Sequence, residues 1–316
     1  MGLRNHRTEA LSINLLREGI VESRHFAEAV ICDDRGRVLA CAGSPETSTF
    51  IRSSLKPFQA LTVLSTGTLE RFQLRDRDLS VICASHQGSI EQVRQVFNIF
   101  WNTDISVECL RCPIPVARKS RLEYNCSGKH AGMLAVCKQQ NWPLENYLQV
   151  NHPVQQQILK QIADLLKMPA AEFITAQDDC GAPTLFMQLS QMGWLYAQLS
   201  SGSNLYMERV VRAMTHHPVF VAGTHQFDTD LMEATEGSLV SKTGAEGVQC
   251  IGRVGEGMGL ALKVRDGAKR AKYAAAIHIL REMGWIDPQV ADQLSNRYLT
   301  LNAHKRLDVT GELVCI

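Results

Sequence analysis

Apolar positions along the chain change period twice. Near the front, residues 26–32 and 37–41 are short apolar runs separated by Asp33, Asp34, Arg35 and Gly36. That pattern predicts two strands joined by a tight turn. From Ser53 a run through Phe58, Leu61 and Leu64 predicts a helix. Residues 79–85 read as a short strand ending in small polar residues, with a helix over about 89–101. In the middle, residues 128–139, 154–166, 183–199 and 204–215 carry apolar positions near the 3.6 period and predict helices. Beyond 238, the segments 238–242, 247–253 and 258–265 are strand-like and punctuated by glycine, and helices over 268–283 and 288–298 follow. Strands at both ends with helices between predict an α/β fold of the α+β type, one unit over 1–316. Its mixed, mostly antiparallel sheet draws strands from about 20–90 and 238–316, with flanking helices and a largely helical inserted region over about 90–235. A doubly wound dinucleotide fold fits poorly, because strands and helices do not alternate and no G-x-G-x-x-G opens a first helix.

Composition narrows the class without naming a chemistry. The chain has 316 residues, 45% hydrophobic and 21% charged, enough for a sizeable buried core. Lys and Arg number 33 against 32 Asp and Glu, a formal charge of +1. So even a balance gives no electrostatic reason for a nucleic-acid or membrane-surface partner. The first residues are interrupted by charge, and no stretch of about 20 apolar residues occurs, so a cytoplasmic protein is expected. The ten Cys are scattered and read as reduced thiols rather than a disulfide framework.

Candidate chemistry begins at Ser53-Ser54-Leu55-Lys56. Residues three apart in a helical turn share a face, which sets a lysine amine against a serine hydroxyl. A serine needs such a base to be a nucleophile near neutral pH. Pro57 fits only the first turn of a helix, so Ser53 belongs at its start. Lys242-Thr243-Gly244 follows on a predicted strand, 189 residues after Ser53. S-x-x-K followed far downstream by K-T-G is the pairing of penicillin-recognising serine enzymes. There the strand cation and hydroxyl flank a carboxylate, and glycine lets the backbone come close.

Other clusters carry weaker signals. Cys83-Ala84-Ser85-His86-Gln87-Gly88 describes an active-site edge or a hydrogen-bonded turn equally well. Tyr124-Asn125-Cys126-Ser127-Gly128-Lys129 introduces a helix with Cys126 and Lys129 on one face. Asp178-Asp179-Cys180 sets a thiol among carboxylates, where it can ligate a metal with Cys126 or fill the core as a small apolar group. Alternation along 259–267 puts Ala261, Lys263 and Arg265 on one side and Leu260, Leu262 and Val264 on the core side. Cys109-Leu110-Arg111-Cys112 reads as structural.

Taken in order, these segments resemble the bacterial L-asparaginase II family of rhizobial type, which is unrelated to asparaginases with a threonine nucleophile. The resemblance rests on residues 21–25 (VESRH), 51–60 (IRSSLKPFQA), 83–88 (CASHQG), 125–134 (NCSGKHAGML), 178–183 (DDCGAP), 217–223 (HPVFVAG), 242–248 (KTGAEGV) and 259–267 (GLALKVRDG). It implies a fold similar to serine β-lactamases, penicillin-binding proteins and serine-type glutaminases. The implied activity is hydrolysis of L-asparagine to L-aspartate and ammonia, by a homodimer. The resemblance also implies two serine–lysine pairs, Ser53 with Lys56 and Ser85 with Lys263. Glu22, Arg52, His86, Asn125, Lys242, Gly244 and Glu246 are the substrate-binding residues it suggests. It implies a zinc ion on Cys126, Lys129 and Cys180, with Asp178 beside it; such a lysine must be deprotonated.

The chain departs from the family pattern at Asp179, where glycine is usual, and at Gln226, where arginine is expected. Two assignments of the acylated serine stand open: Ser53 through Lys56, or Ser85 through Lys263. The alternative activities are those of a related serine amidohydrolase such as a glutaminase, or of a penicillin-recognising hydrolase. Glutamine differs from asparagine by one methylene, which a tight pocket separates by only ~1–3 kcal/mol.

Overall fold

The computed structural model describes residues 8–316 and divides them into two compact units. The first comprises the chain up to Ser54, then Met187–Gly202 and Asp230–Ile316, and the second comprises Leu55–Phe186 and Ser203–Thr229.

The first unit is built on a nine-stranded sheet. Its strands run in the order Thr300–Asn302, Lys305–Thr310, Leu11–Arg17, Ile20–Asp33, Met258–Val264, Val248–Arg253 and Leu239–Thr243. Val38–Ala42 also pairs with Ile20–Asp33, and Val314–Cys315 pairs with Val38–Ala42. Every pairing in this sheet is antiparallel, so the expected mixed sheet is corrected to a uniformly antiparallel one. Register sets Glu28 opposite Lys263 and Ala29 opposite Leu262. Successive residues Leu260, Ala261 and Leu262 are all fully buried. Neighbours in a strand point to opposite faces, so both faces of the sheet are covered here. The helices Leu189–Ser200 and Lys269–Glu282 contact these strands. The expected one-sided alternation therefore fails at Ala261, and only Lys263 and Arg265 reach outward.

The second unit is mainly helical: Lys56–Ser65, Asp76–Ile82, Ile90–Thr103, Ser127–Gln139, Pro153–Leu166 and Leu205–His216. Local chemistry starts several of these. Gln92 N–H donates to Ser89 Oγ while Gln92 Oε1 accepts from Ser89 N–H, a reciprocal box at the start of Ile90–Thr103. Pro57 and Pro153 occupy first turns, where their missing N–H costs nothing. Strands Ile174–Gln177 and Pro183–Gln188 form a small antiparallel hairpin.

Two sequence-based elements differ. Residues 79–85 belong to the helix Asp76–Ile82 and its exit, not to a strand. A short apolar run does not distinguish a buried strand from a buried helix, and this helix is closely enclosed. A Cβ at Gly128 would collide with the Val81 carbonyl, so only glycine lets Ser127–Gln139 dock there. The expected helix over 183–199 begins instead as the strand Pro183–Gln188 and turns helical at Leu189. Among the described residues, no helix is long and apolar enough to cross a membrane.

Candidate active site

The serine turn has the form its spacing predicts. Arg52–Leu55 is a single 3-10 turn that runs into the helix Lys56–Ser65. Arg52 sits at φ 53°, in the left-handed region that non-glycine side chains adopt at a cost and that recurs at functional sites. Ser53 follows it half-buried, and neither its Oγ nor its N–H hydrogen-bonds another described residue. Ser54 is fully buried and donates through Oγ to the Lys242 carbonyl at 2.9 Å. Tyr196 Oη donates to the Ser54 carbonyl at 2.8 Å. The serine turn is thereby fastened to the Lys242-Thr243-Gly244 strand, which joins two motifs that the sequence leaves 189 residues apart. A Cβ at Gly244 would lie 3.0 Å from the Ile51 carbonyl oxygen and 3.1 Å from Ser54 Oγ, so a larger residue would push the two apart.

Beneath that strand lies a polar network in which sequence reasoning missed one member. Lys272, on the helix Lys269–Glu282, is 2% exposed. Its Nζ donates to Thr243 Oγ1 at 3.1 Å and to the Gly244 carbonyl at 3.0 Å. Thr243 Oγ1 donates to Gln249 Oε1 at 2.7 Å, and Gln249 Nε2 donates to Ser241 Oγ at 2.9 Å. Lys242 is fully buried, its Nζ donating to the Thr243 carbonyl at 3.0 Å. No short motif marks Lys272; its place in a Lys-Arg-Ala-Lys helix start reads as a solvated face.

In the second unit, Lys56 meets Ser85. Lys56 is 1% exposed, and its Nζ donates to Ser85 Oγ at 3.0 Å and to the Ala84 carbonyl. Ser85 is held by its N–H, which donates to the Val221 carbonyl at 2.8 Å. The residues after it are tied down as well. His86 N–H donates to the Asn125 carbonyl, Gln87 N–H to Gln92 Oε1, and Gly88 N–H to His86 Nδ1. His86 Nδ1 is thus an acceptor, which leaves Nε2–H to donate to Ser127 Oγ at 2.8 Å, and Ser127 Oγ–H to donate to the Leu122 carbonyl. Burial, helped by the Lys56 charge, pushes this imidazole down to about 3 and keeps it neutral. Both ring nitrogens are engaged within the protein.

Cys126, Lys129 and Cys180 do come together. All three are buried, and Lys129 Nζ donates to Cys180 Sγ at 3.1 Å. The hydrogen bond from Cys126, against the effect of burial and with help from the Lys129 charge, brings the Cys180 thiol down to about 5. The same hydrogen bond and burial push Cys126 up to about 12. Burial alone would depress Lys129, but the two sulfurs and Asp178 outweigh it and raise the amine. These directions agree with the geometry, in which Lys129 Nζ is a hydrogen-bond donor to Cys180 Sγ. Among the described residues, no three His, Cys, Asp or Glu side chains gather where they could hold a metal ion. That corrects the zinc expectation: two sulfurs are present, and the third member acts as a cationic donor rather than a lone-pair ligand.

The remaining expected residues are dispersed. Lys263 Nζ, in the first unit, donates to the Val264 and Arg265 carbonyls. Burial holds its amine below the usual lysine range, against Glu246, Asp266 and Glu28. Glu22 is exposed and ion-paired with Arg17 at 2.7 Å and Lys305 at 3.6 Å. The Asn125 and Glu246 side chains are exposed.

Among solved structures, the chain is similar to Mglu in its native form, with 13% identity over 82% of this chain and 64% of that one and a TM-score of 0.45. It is also similar to a beta-lactamase from Mycobacterium bovis, with 12% identity over 86% and 94% and a TM-score of 0.38. The chain thus spans under two thirds of the length of Mglu. No curated protein matches it. The family model described as L-asparaginase II matches residues 13–315, nearly the whole chain. The chain belongs to the L-asparaginase II family.

Proposed function

We propose that this protein hydrolyses the side-chain amide of L-asparagine by acyl transfer to a serine, with a lysine amine as the base. The observation that carries the proposal is the hydrogen bond from the buried Lys56 Nζ to Ser85 Oγ, whose residue is half-buried. In the first step the Lys56 amine, in its neutral form, takes the Ser85 hydroxyl proton as Oγ bonds to the amide carbon, and the carbonyl electron pair moves to oxygen. Collapse of that intermediate breaks the C–N bond. The leaving nitrogen takes the proton from Lys56 and departs as ammonia. Water then gives a proton to Lys56, attacks the ester and releases L-aspartate, and the proton returns to Ser85 Oγ. His86 is a positioning residue for the segment that carries Ser85. A fold relationship to serine β-lactamases and penicillin-binding proteins accords with the order of the S-x-x-K and K-T-G motifs.

A second assignment of the nucleophile has its own support. Ser53 keeps both Oγ and N–H open behind a left-handed Arg52, whereas the Ser85 N–H is engaged with Val221. A nucleophile's own N–H is a common oxyanion donor. One experiment tests activity and nucleophile together. Purified protein is assayed for ammonia release from L-asparagine and L-glutamine, and turnover is quenched in acid for peptide mass mapping. The proposal expects faster release from L-asparagine and an aspartyl adduct on the Ser85 peptide. An adduct on Ser53 moves the nucleophile, and turnover of neither amide refutes the activity.

A further inference from the structure

We propose a second binding site, in the second unit, for a small anion carrying two or more phosphate groups. A polar groove of about 800 Å³ lies along residues 71–78 and the helix Ile90–Thr103, a volume in the range of small-molecule sites. Four cations line it, Arg71, Arg75, Arg77 and Lys138, against two carboxylates, Asp78 and Asp104.

The charges in this segment are sorted by direction. Glu70 and Asp76, which alternate with the arginines in sequence, turn away to the helix Leu205–His216. There Glu70 pairs with Arg209 at 2.6 Å, and Asp76 with Arg209 at 3.7 Å and Arg212 at 3.5 Å. Asp78 is 3% exposed, and its carboxylate accepts from the Arg75 N–H at 2.7 Å and Gln95 Nε2 at 2.6 Å. No ion pair joins Arg71, Arg75 or Arg77 to a carboxylate among the described residues, although the Arg75 charge acts on the Asp78 carboxylate. Some exposed arginines elsewhere on the chain do find one, as in Arg17–Glu22, Arg37–Asp33 and Arg265–Glu28. Arg71, Arg75 and Arg77 all line the groove, the Arg77 guanidinium lying 5.9 Å from the Phe220 ring, and on a chain whose formal charge is only +1 they concentrate positive charge there. Guanidinium groups bind phosphate by paired N–H donors. Phe72, under the Arg71 guanidinium at 5.7 Å, adds an aromatic face to the groove lining.

The test is calorimetric titration of the whole chain, at about 50 mM salt where surface charges are weakly screened, with inorganic pyrophosphate in one arm and ATP without metal in the other. A dissociation constant below about 1 mM is expected, weakening at least tenfold in the triple variant Arg71→Ala, Arg75→Ala, Arg77→Ala and rising with added salt. Equal affinity for the two probes assigns the site to phosphate groups alone. Tighter ATP binding assigns it to a nucleotide stacked on Phe72. A single Arg75→Gln variant, expected to bind at least threefold more weakly, serves if the triple variant does not fold. No binding of either probe at about 5 mM, or unchanged binding in the arginine variants, overturns the proposal.

Discussion

Mild acid should destabilise this protein through His86, and the size of the effect follows from the geometry. The ring is 3% exposed, accepts from Gly88 N–H and donates to Ser127, so protonating Nδ1 would turn an acceptor into a second donor facing an N–H. The folded imidazole is held at about 3, against 6.5 for an unperturbed histidine. A depressed folded value means the contribution is complete above pH 6.5 and is lost as pH falls toward 3, because only the unfolded chain takes up the proton there. Each pH unit in that window removes roughly 1 kcal/mol, so going from pH 6.5 to 5 costs about 2 kcal/mol, a large share of a typical stability of about 5–15 kcal/mol. Other groups move in the same window. His130 and Cys180 also lie low and pull the same way, while burial raises the Asp78 acid and pulls the other way.

The measurement therefore has to be a difference. Urea unfolding of wild type and His86→Asn across pH 8 to 5 isolates the histidine, since the other groups are common to both. Asn can still accept from Gly88 N–H, so the variant should lose roughly 1–3 kcal/mol at pH 8 from the vacated ring volume and the lost Ser127 bond. Below pH 6.5 the gap between the two proteins should then narrow by about 2 kcal/mol by pH 5. A gap that stays constant across that range would refute the neutral, two-bond assignment of His86.

Three further outcomes follow from the site. Ser85→Ala and Lys56→Met should each lower kcat for L-asparagine by at least about a hundredfold with thermal unfolding little changed; near-normal kcat in either removes that residue from the chemistry. Lys272→Met should lose roughly 1–3 kcal/mol on urea unfolding, because it removes the donor to Thr243 Oγ1 and to the Gly244 carbonyl. Unchanged unfolding would mean that those two bonds contribute nothing to stability. Gly244→Ala sets a methyl against the Ile51 carbonyl and Ser54 Oγ, so a loss of roughly 1–3 kcal/mol on urea unfolding is expected, together with a lower kcat/KM.

The fold was legible where periodicity and burial coincide. Ile90–Thr103 carries an apolar stripe and a Ser89–Gln92 box, and the helix lies within two residues of where the sequence puts it. Illegible stretches share a cause. Residues 79–84 are buried throughout because the Asp76–Ile82 helix is enclosed by other helices, and full burial erases the period that marks a helix. Leu11–Arg17, missed from sequence, sits in a charged opening stretch, and its place as a strand is set by pairing with Ile20–Asp33 and Lys305–Thr310. Such non-local partners are not visible in a local pattern. The sheet's being antiparallel throughout is of the same kind, since strand direction depends on topology.

Buried lysines divide the candidate site into what a sequence can and cannot reveal. Lys56, Lys129, Lys242 and Lys272 are each at most 3% exposed. Burying a cation costs several kcal/mol unless it is well partnered, and lysine is seldom found fully buried. Stability alone gives a chain no reason to carry four. Each has specific acceptors: Ser85 Oγ and the Ala84 carbonyl, Cys180 Sγ, the Thr243 carbonyl, and Thr243 Oγ1 with the Gly244 carbonyl. Three of the four were marked in advance, because a serine, cysteine or threonine at fixed spacing gave the lysine a chemical context. Lys272 had none, since its acceptors lie 28 and 29 residues earlier in the chain and only the antiparallel strand brings them under its amine. Lys129 was marked for the wrong chemistry: spacing set it beside Cys126 and the family resemblance added Cys180, whereas the structure shows its amine as a hydrogen-bond donor to that thiol and no metal-holding group among the described residues. Proximity can be read from a sequence, whereas protonation depends on what else is buried nearby, and that belongs to the fold.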